Sequence, residues 1–521
     1  MIKTKRIVSV LLMVLLVASS IAFPVVATDK QSVNKGTNAT IDQSACISDE
    51  SISCYGEIKQ STMSAIEAKA SFAETIKNQS ATNCTDLDRI EEIFDCKLGV
   101  ASAERILVQE TDQIYTRYIC KDKTELSFDE NGELFKISTI YAETTPEEGF
   151  AEKKMAQTSA LSAQDAEKRC MNLMPEIRAM FNITDDYPLT DVYDFDDEYV
   201  FYTFEKLLEN GVYNPYQSVK VVFNKRTGKF SVARKFEASP NALIPVITES
   251  DAICVAGDEV DYGIVFDQVK LTYITQRQFS IRPKEFDLSE CYLVYEVSSL
   301  DNNSILYIDA LSGLCIGSDC IMSESGLSCG IQESTATGAY NYNEGLATEP
   351  NGNKWRRDKI LWAAAAMRRL GYSTSSSWKS DKSLISDIKD YLKNNSSAYA
   401  FYFTGHGSSN ALGFKYNGRI YPSDVTGNWH FVFLDACSTA ADATWANAFK
   451  INGYSNRAFL GWSKSIRWDP GHEFAEKFWP RVNGKVSIRQ AAVDAAADVP
   501  GEGTTPIKFY GDRSYTGKAW T

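Results

Sequence analysis

Three uninterrupted apolar runs in the last third of the chain, Ala398–Thr404, His430–Leu434 and Arg457–Trp462, most restrict what it can fold into. A strand that is apolar on both faces must be covered on both faces, whereas a half-exposed strand alternates. Segments with helical spacing lie between and around these runs, at Lys354–Leu370, Ser383–Leu392, Ala441–Phe449, His472–Phe478 and Ser487–Ala497. Apolar strands interleaved with helices predict an α/β/α sandwich on a mainly parallel sheet. Its expected span is residues 354–521, with a start as early as 335.

A chain of 521 residues exceeds one ordinary hydrophobic core, so further domains are expected upstream. A basic head, Met1–Arg6, an apolar run Ile7–Val17 and small residues ending at Ala27 make a secretory signal peptide over 1–27. The apolar run is short for a membrane span. The expected mature protein is secreted or extracytoplasmic, without a span. Residues 28–60 read as a polar leader and 61–322 as an α+β region. Within that region, helical spacing marks 62–79, 85–96 and Ala163–Phe181, and turn pairs Asn131-Gly132 and Thr227-Gly228 sit between alternating apolar residues as hairpin turns. The stretch ITESDAICVAG then opens a capped helix, and CYLVYEVSSLDNNSILYIDALSGLCIGS gives strands closing on Ser312-Gly313. With Tyr307, Asp309, Ser312 and Gly313, and an echo at Asn224–Gly228, this region resembles the PepSY-like modules that precede many secreted peptidases. That resemblance implies a prodomain, made of one such module or of repeats. Residues 323–353, rich in Ser, Gly, Asn and Thr, read as a linker.

A net charge of −14 argues against nucleic acid as partner, because phosphate binding needs clustered Lys and Arg. Eleven of the twelve cysteines fall between Cys46 and Cys329, and Cys437 stands apart from them. All three histidines, His406, His430 and His472, share the C-terminal region with it. In an open parallel sheet, residues just past the C-terminal ends of neighbouring strands gather on one edge. His406-Gly407 follows the first apolar run and Asp435-Ala436-Cys437 the second, so the histidine and cysteine are expected to meet there.

An apolar strand then His-Gly, followed by an apolar strand then an acidic residue, one residue and Cys, resembles the caspase-like (clan CD) cysteine peptidases. Positions 406 and 437 lie closer in sequence than the roughly 50 residues of caspases, which favours gingipain-, clostripain- or CHAT-like relatives. The resemblance implies that Cys437 attacks as thiolate and that His406 moves the proton. The N–H groups of Gly407 and Cys437 would hold the oxyanion. A helix expected near Thr439 would lower the thiol pKa through its N-terminal partial charge. Asp435 would bind an Arg or Lys ahead of the cleaved bond or, alternatively, accept backbone hydrogen bonds at the turn. Trp462 and Ser463 align with the pocket wall, with a core role for Trp462 as the alternative.

His430 opens its strand roughly 20 Å from Cys437, at the wrong end. His472 lies on the correct edge and is the reserve histidine. His472-Glu473 lacks the second histidine of a zinc helix, so no metal and no cofactor is expected. The expected function is a secreted cysteine endopeptidase with a His/Cys dyad, made as a zymogen and cleaving proteins or peptides after Arg or Lys, with its own prodomain as inhibitor. A partner-regulated CHAT-like protease and a catalytically silent surface-binding protein are the alternatives. No Lys or Arg occurs from Glu285 to Asn353, so a basic-specific enzyme would not cut itself in the linker.

Overall fold

The computed structural model describes residues 60–517, except 141–160, 276–290, 321–334, 337–351, 373–387 and several shorter stretches, including 406, 415–417 and 501–505. The signal peptide, the leader, most of the linker and most of the Ser383–Leu392 helix fall outside the described residues. No helix among those described is long and apolar enough to cross a membrane.

The N-terminal region is built on one antiparallel sheet of nine strands: β1 (Gln60–Met63), β2 (Val100–Val108), β3 (Gln113–Cys120), β4 (Glu125–Phe128), β5 (Leu134–Ser138), β6 (Leu189–Asp194), β7 (Tyr199–Leu207), β8 (Tyr213–Asn224) and β9 (Phe230–Phe236). The spatial order is β1-β2-β3-β4-β5-β9-β8-β7-β6. Two hairpin arrays therefore join where Ile137 of β5 pairs with Val232 of β9. Both expected hairpin turns form, with Gly132 at φ 76° and Gly228 at φ 72°, values that glycine adopts without steric cost. Helix α1 (Ala65–Ser80), α2 (Leu87–Phe94) and α3 (Ala163–Met180) accompany this sheet. Ser162 caps α3 by accepting from the Asp165 N–H. A separate four-stranded antiparallel sheet follows: β10 (Gln268–Thr275), β11 (Cys291–Ser299), β12 (Ser304–Asp309) and β13 (Cys315–Cys320), with α4 (Glu249–Glu259) capped by Thr248. Most of the strand pairing among the described residues is thus antiparallel.

The parallel pairing sits in the C-terminal sheet, ordered β14 (Thr335–Ala336), β15 (Ala400–Thr404), β18 (Phe431–Asp435), β19 (Ala458–Trp462) and β20 (Ile507–Gly511). The three apolar runs are its central strands β15, β18 and β19, mutually parallel, and both edges are antiparallel. Between β15 and β18 a small hairpin pairs β16 (Leu412–Phe414) with β17 (Gly418–Ile420). Helix α5 (Gly352–Arg369), α6 (Thr444–Ala448), α7 (Trp468–Arg481) and α8 (Ile488–Ala497) complete the region.

The two sheets share a core. Helix α8 is alanine-rich and buried nearly all round, because it lies between the C-terminal sheet and the nine-stranded one. Phe195, Tyr199, Phe201 and Val222 from the N-terminal side join the same buried cluster as Phe433, Leu460 and Ala492. Polar groups cross the boundary too. Arg489 pairs with Asp196 and Glu198, Lys136 with Asp498, and Lys235 with Glu473. The fully buried Lys220 of β8 donates to the Ala496 and Val499 carbonyls at the C-terminal end of α8, the end that favours a cation.

Two outcomes follow from this boundary. Residues 335–521 expressed alone should be aggregation-prone and lack a cooperative melt, and a chain nicked inside 321–351 should keep both fragments together on gel filtration; free, folded C-terminal fragment would contradict the shared core. Burial also pulls the Lys220 pKa from 10.5 to about 7. Between those values the unfolded chain holds a proton that the folded chain lacks, so this group makes stability rise with pH across that window; below about 7 both states are protonated and its burial cost is complete. In urea unfolding, the gap between wild type and Lys220→Met should move toward wild type by on the order of 1 kcal/mol per pH unit from pH 7.5 to 9.5. A pH-independent gap would contradict it.

Candidate active site

Parallel pairing in register, Thr404 beside Asp435, brings the ends of β15 and β18 together. Past those ends, the Gly405 N–H donates to the Asp435 carbonyl at 3.2 Å. Gly407 packs so closely on the neighbouring turn that an added Cβ would lie 2.7 Å from Ala436 Cβ, 2.9 Å from Thr439 Cγ2 and 3.3 Å from the Cys437 carbonyl oxygen. His406 itself lies outside the described residues, but both of its covalent neighbours touch the 435–437 segment. The segments carrying the two expected oxyanion donors, Gly407 and Cys437, are therefore in contact.

The turn after β18 is held from the other side by Gly461, where a Cβ would lie 2.8 Å from Thr439 Oγ1 and 3.0 Å from Ala440 Cβ. Ser438 takes φ 55°, a left-handed conformation that costs a non-glycine residue about 1–2 kcal/mol. Such strain gathers at functional turns. Three backbone hydrogen bonds fix it: Ser438 N–H to Lys464 O, Ala440 N–H to Trp462 O and Thr439 N–H to Ala436 O. The Thr439 hydroxyl lies 2.8 Å from both the Leu434 and Ala436 carbonyls. This side-chain bonding to the preceding strand end competes with helix formation, and α6 begins only at Thr444 rather than near Thr439. The helix-dipole contribution expected at Cys437 is therefore not supplied by α6.

Cys437 is 4% exposed. Its Sγ donates to the Ile466 carbonyl at 3.5 Å and accepts from the Ile466 N–H at 3.3 Å, so the segment after β19 covers the thiol. Ser463, on that segment, gives both its N–H (2.7 Å) and its hydroxyl (2.9 Å) to the Pro506 carbonyl. Tyr193 of β6 reaches over from the nine-stranded sheet, with its hydroxyl 3.1 Å from the Ile507 carbonyl and 3.4 Å from Ser463 Oγ. Burial pushes that phenol up to about 12.

Asp435 is engaged on both oxygens. Oδ2 accepts from Lys359 Nζ at 2.9 Å and Tyr402 OH at 2.8 Å, and Oδ1 from the Trp462 indole N–H at 2.8 Å. Burial and the adjacent carboxylate hold the Tyr402 phenol well above its ordinary range. Trp462 is fully buried, edge-on to Phe474 at 5.1 Å, and so packs as core. Sequence reasoning missed Lys359 and Tyr402. The first follows the i, i+4, i+7 row with Ala363 and Ala366, small residues that let a helix approach the sheet, and the second is the polar-tipped member of an otherwise apolar run.

His430 lies at the opposite strand end, its N-terminal side, where burial and then Arg457 lower its pKa to about 4. His472 is buried within α7 with its ring 5.2 Å from that of Trp362. No group of three or more His, Cys, Asp or Glu suited to a metal occurs among the described residues.

No family model matches the chain, and no curated protein matches it. Among solved structures, the Bacillus megaterium YpeB C-terminal domain aligns with 50% of this chain and 99% of its own, at 15% identity and a TM-score of 0.25, a level too low to carry a fold likeness.

Gly407→Ala should force the two strand-end segments apart, costing about 1–3 kcal/mol in stability as an overpacked site does, and should reduce thiol-directed chemistry at Cys437 by at least tenfold. Unchanged reactivity of Cys437 toward a peptide-like electrophile in folded variant would show that the 405–407 segment has no bearing on the site.

Proposed function

We propose that this chain is an exported, caspase-like cysteine endopeptidase in which Cys437 is the nucleophile and His406 the proton-transfer residue. The observation that carries the reading is the contact of Gly405 and Gly407 with the 435–437 segment at the C-terminal ends of adjacent parallel strands. The caspase-like assignment of the C-terminal sheet belongs to the same proposal, supported by its three central parallel strands and covering helices. So does the export inferred from residues 1–27.

In this reading the Cys437 thiol loses its proton to His406, and the thiolate adds to a peptide carbonyl. The N–H groups of Gly407 and Cys437 hold the resulting oxyanion. His406 then protonates the leaving amine, giving a thioester on Cys437 and a free amine product. Water, deprotonated by His406, cleaves the thioester and restores the thiol.

The covered thiol and the reach of Tyr193 to Ser463 support a resting form that must open before substrate enters. The N-terminal region then acts as an attached inhibitor, relieved by a cut or by a docking partner as in a CHAT-like protease. A surface-binding protein that keeps the fold would have no use for a nucleophilic cysteine.

Cys437→Ala and His406→Ala should each lower peptide hydrolysis by at least 10³-fold in protein that still folds, while His430→Ala retains measurable turnover. Activity surviving in folded His406→Ala but lost in His472→Ala would transfer the proton-transfer role to His472. No turnover and no active-site labelling by a peptidyl thiol reagent, even after limited proteolysis, would leave the silent binding protein.

A further inference from the structure

We propose that Lys359 is the resident cation of the Asp435 carboxylate, so that the enzyme cleaves after uncharged rather than basic residues. This rests on the cysteine-endopeptidase reading and deepens it by naming a substrate class.

A carboxylate that reads an arginine or lysine side chain must offer it open lone pairs, and a guanidinium binds best to both oxygens at once. In Asp435 both oxygens are already used, by Lys359, Tyr402 and Trp462. The ion pair is buried, with side-chain exposures of 4% for Lys359 and 1% for Asp435. Its net charge is zero, and a second cation brought to it would face the Lys359 ammonium across a shared, poorly hydrated carboxylate.

The lysine is also held in place. It projects from α5, and Ala363 and Ala366 on the same helix are fully buried beside it. On its other side stands Gly471, whose Cβ position is 3.6 Å from Lys359 Nζ and 3.3 Å from Ile466 Cγ1. Ile466 is the residue that covers the Cys437 sulfur. Pushing Lys359 aside would leave its ammonium buried without a counter-ion, a change that costs more than a basic substrate side chain would regain.

Asp435 ends β18 and Cys437 stands two residues on, in the turn that follows, so at most about 7 Å of backbone separates them, close to the reach of a long side chain next to the attacked carbonyl. In the resting form Asp435 and Trp462 are closed off from solvent; once the segment through Ile466 opens, a side chain entering there meets a carboxylate that is already neutralised. An uncharged residue fits that surrounding. Lys359 is then a specificity-determining residue, acting by occupying Asp435.

The test is cleavage profiling with a peptide library randomised at the residue ahead of the cleaved bond, using full-length wild type opened by limited proteolysis and full-length Lys359→Ala. Wild type should cut after uncharged residues at least tenfold better than after Arg or Lys, and Lys359→Ala should shift at least tenfold toward Arg and Lys. A wild-type preference for Arg or Lys, or an unchanged profile in folded Lys359→Ala, overturns the proposal and leaves the dyad standing. Should Lys359→Ala prove unstable, n-propylammonium chloride is expected to raise its melting temperature more than the same concentration of sodium chloride; equal effects would count against a resident-cation role. Absence of any cleavage, with Cys437 inert to peptidyl electrophiles, removes the peptidase reading and this proposal with it.

Discussion

One buried carboxylate holds the C-terminal edge of the parallel sheet together. Asp435 of β18 gathers the phenol of Tyr402 from β15, the indole N–H of Trp462 from β19 and the ammonium of Lys359 from α5. Three neighbouring strands and a covering helix are thereby fixed to a common point, two residues before Cys437. An ionised side chain at 1% exposure is tolerated only when a counter-charge and hydrogen bonds replace its water. The same requirement that makes this cluster costly to break also makes it a rigid base for the turn that presents the thiol.

That turn is shaped by close approach rather than by a helix. Glycines at 407 and 461 let the backbones on either side press against Thr439 and Ala440, and the left-handed Ser438 lets the chain reverse within the space they leave. Cys437 consequently points under the segment running through Ile466 instead of toward solvent. Access to the sulfur depends on that segment, whose position is tied to β20 through Ser463 and Pro506 and to β6 through Tyr193.

The nine-stranded sheet is more than a cover. It supplies one wall of the core around α8, and its charged residues find their partners on α7 and α8. A buried boundary with both apolar and ionic parts resembles the interior of a single domain, since separating it would expose apolar surface and strip several charges of their counter-ions. Any change that frees the thiol therefore acts most economically at the local contacts of Tyr193, Ser463 and Ile466, leaving the shared core intact.

The three apolar runs, the glycine turns at 132, 228 and 313, the capped start of the helix after Thr248 and the placement of Gly407 and Cys437 past neighbouring strand ends were all legible in the sequence. Each is encoded by side-chain periodicity or by a local backbone requirement within a few residues. The antiparallel edges β14 and β20, the joining of two hairpin arrays through β5 and β9, and the late start of α6 were not legible, because strand neighbours and turn packing depend on residues far apart in the chain. The partners of Asp435 belong to the same class. The sequence by itself determined that an acidic residue would stand two places before a cysteine at a strand end. Only the tertiary structure decided that Lys359, 76 residues upstream, would meet it, because a buried charge is matched through space and leaves no local pattern along the chain.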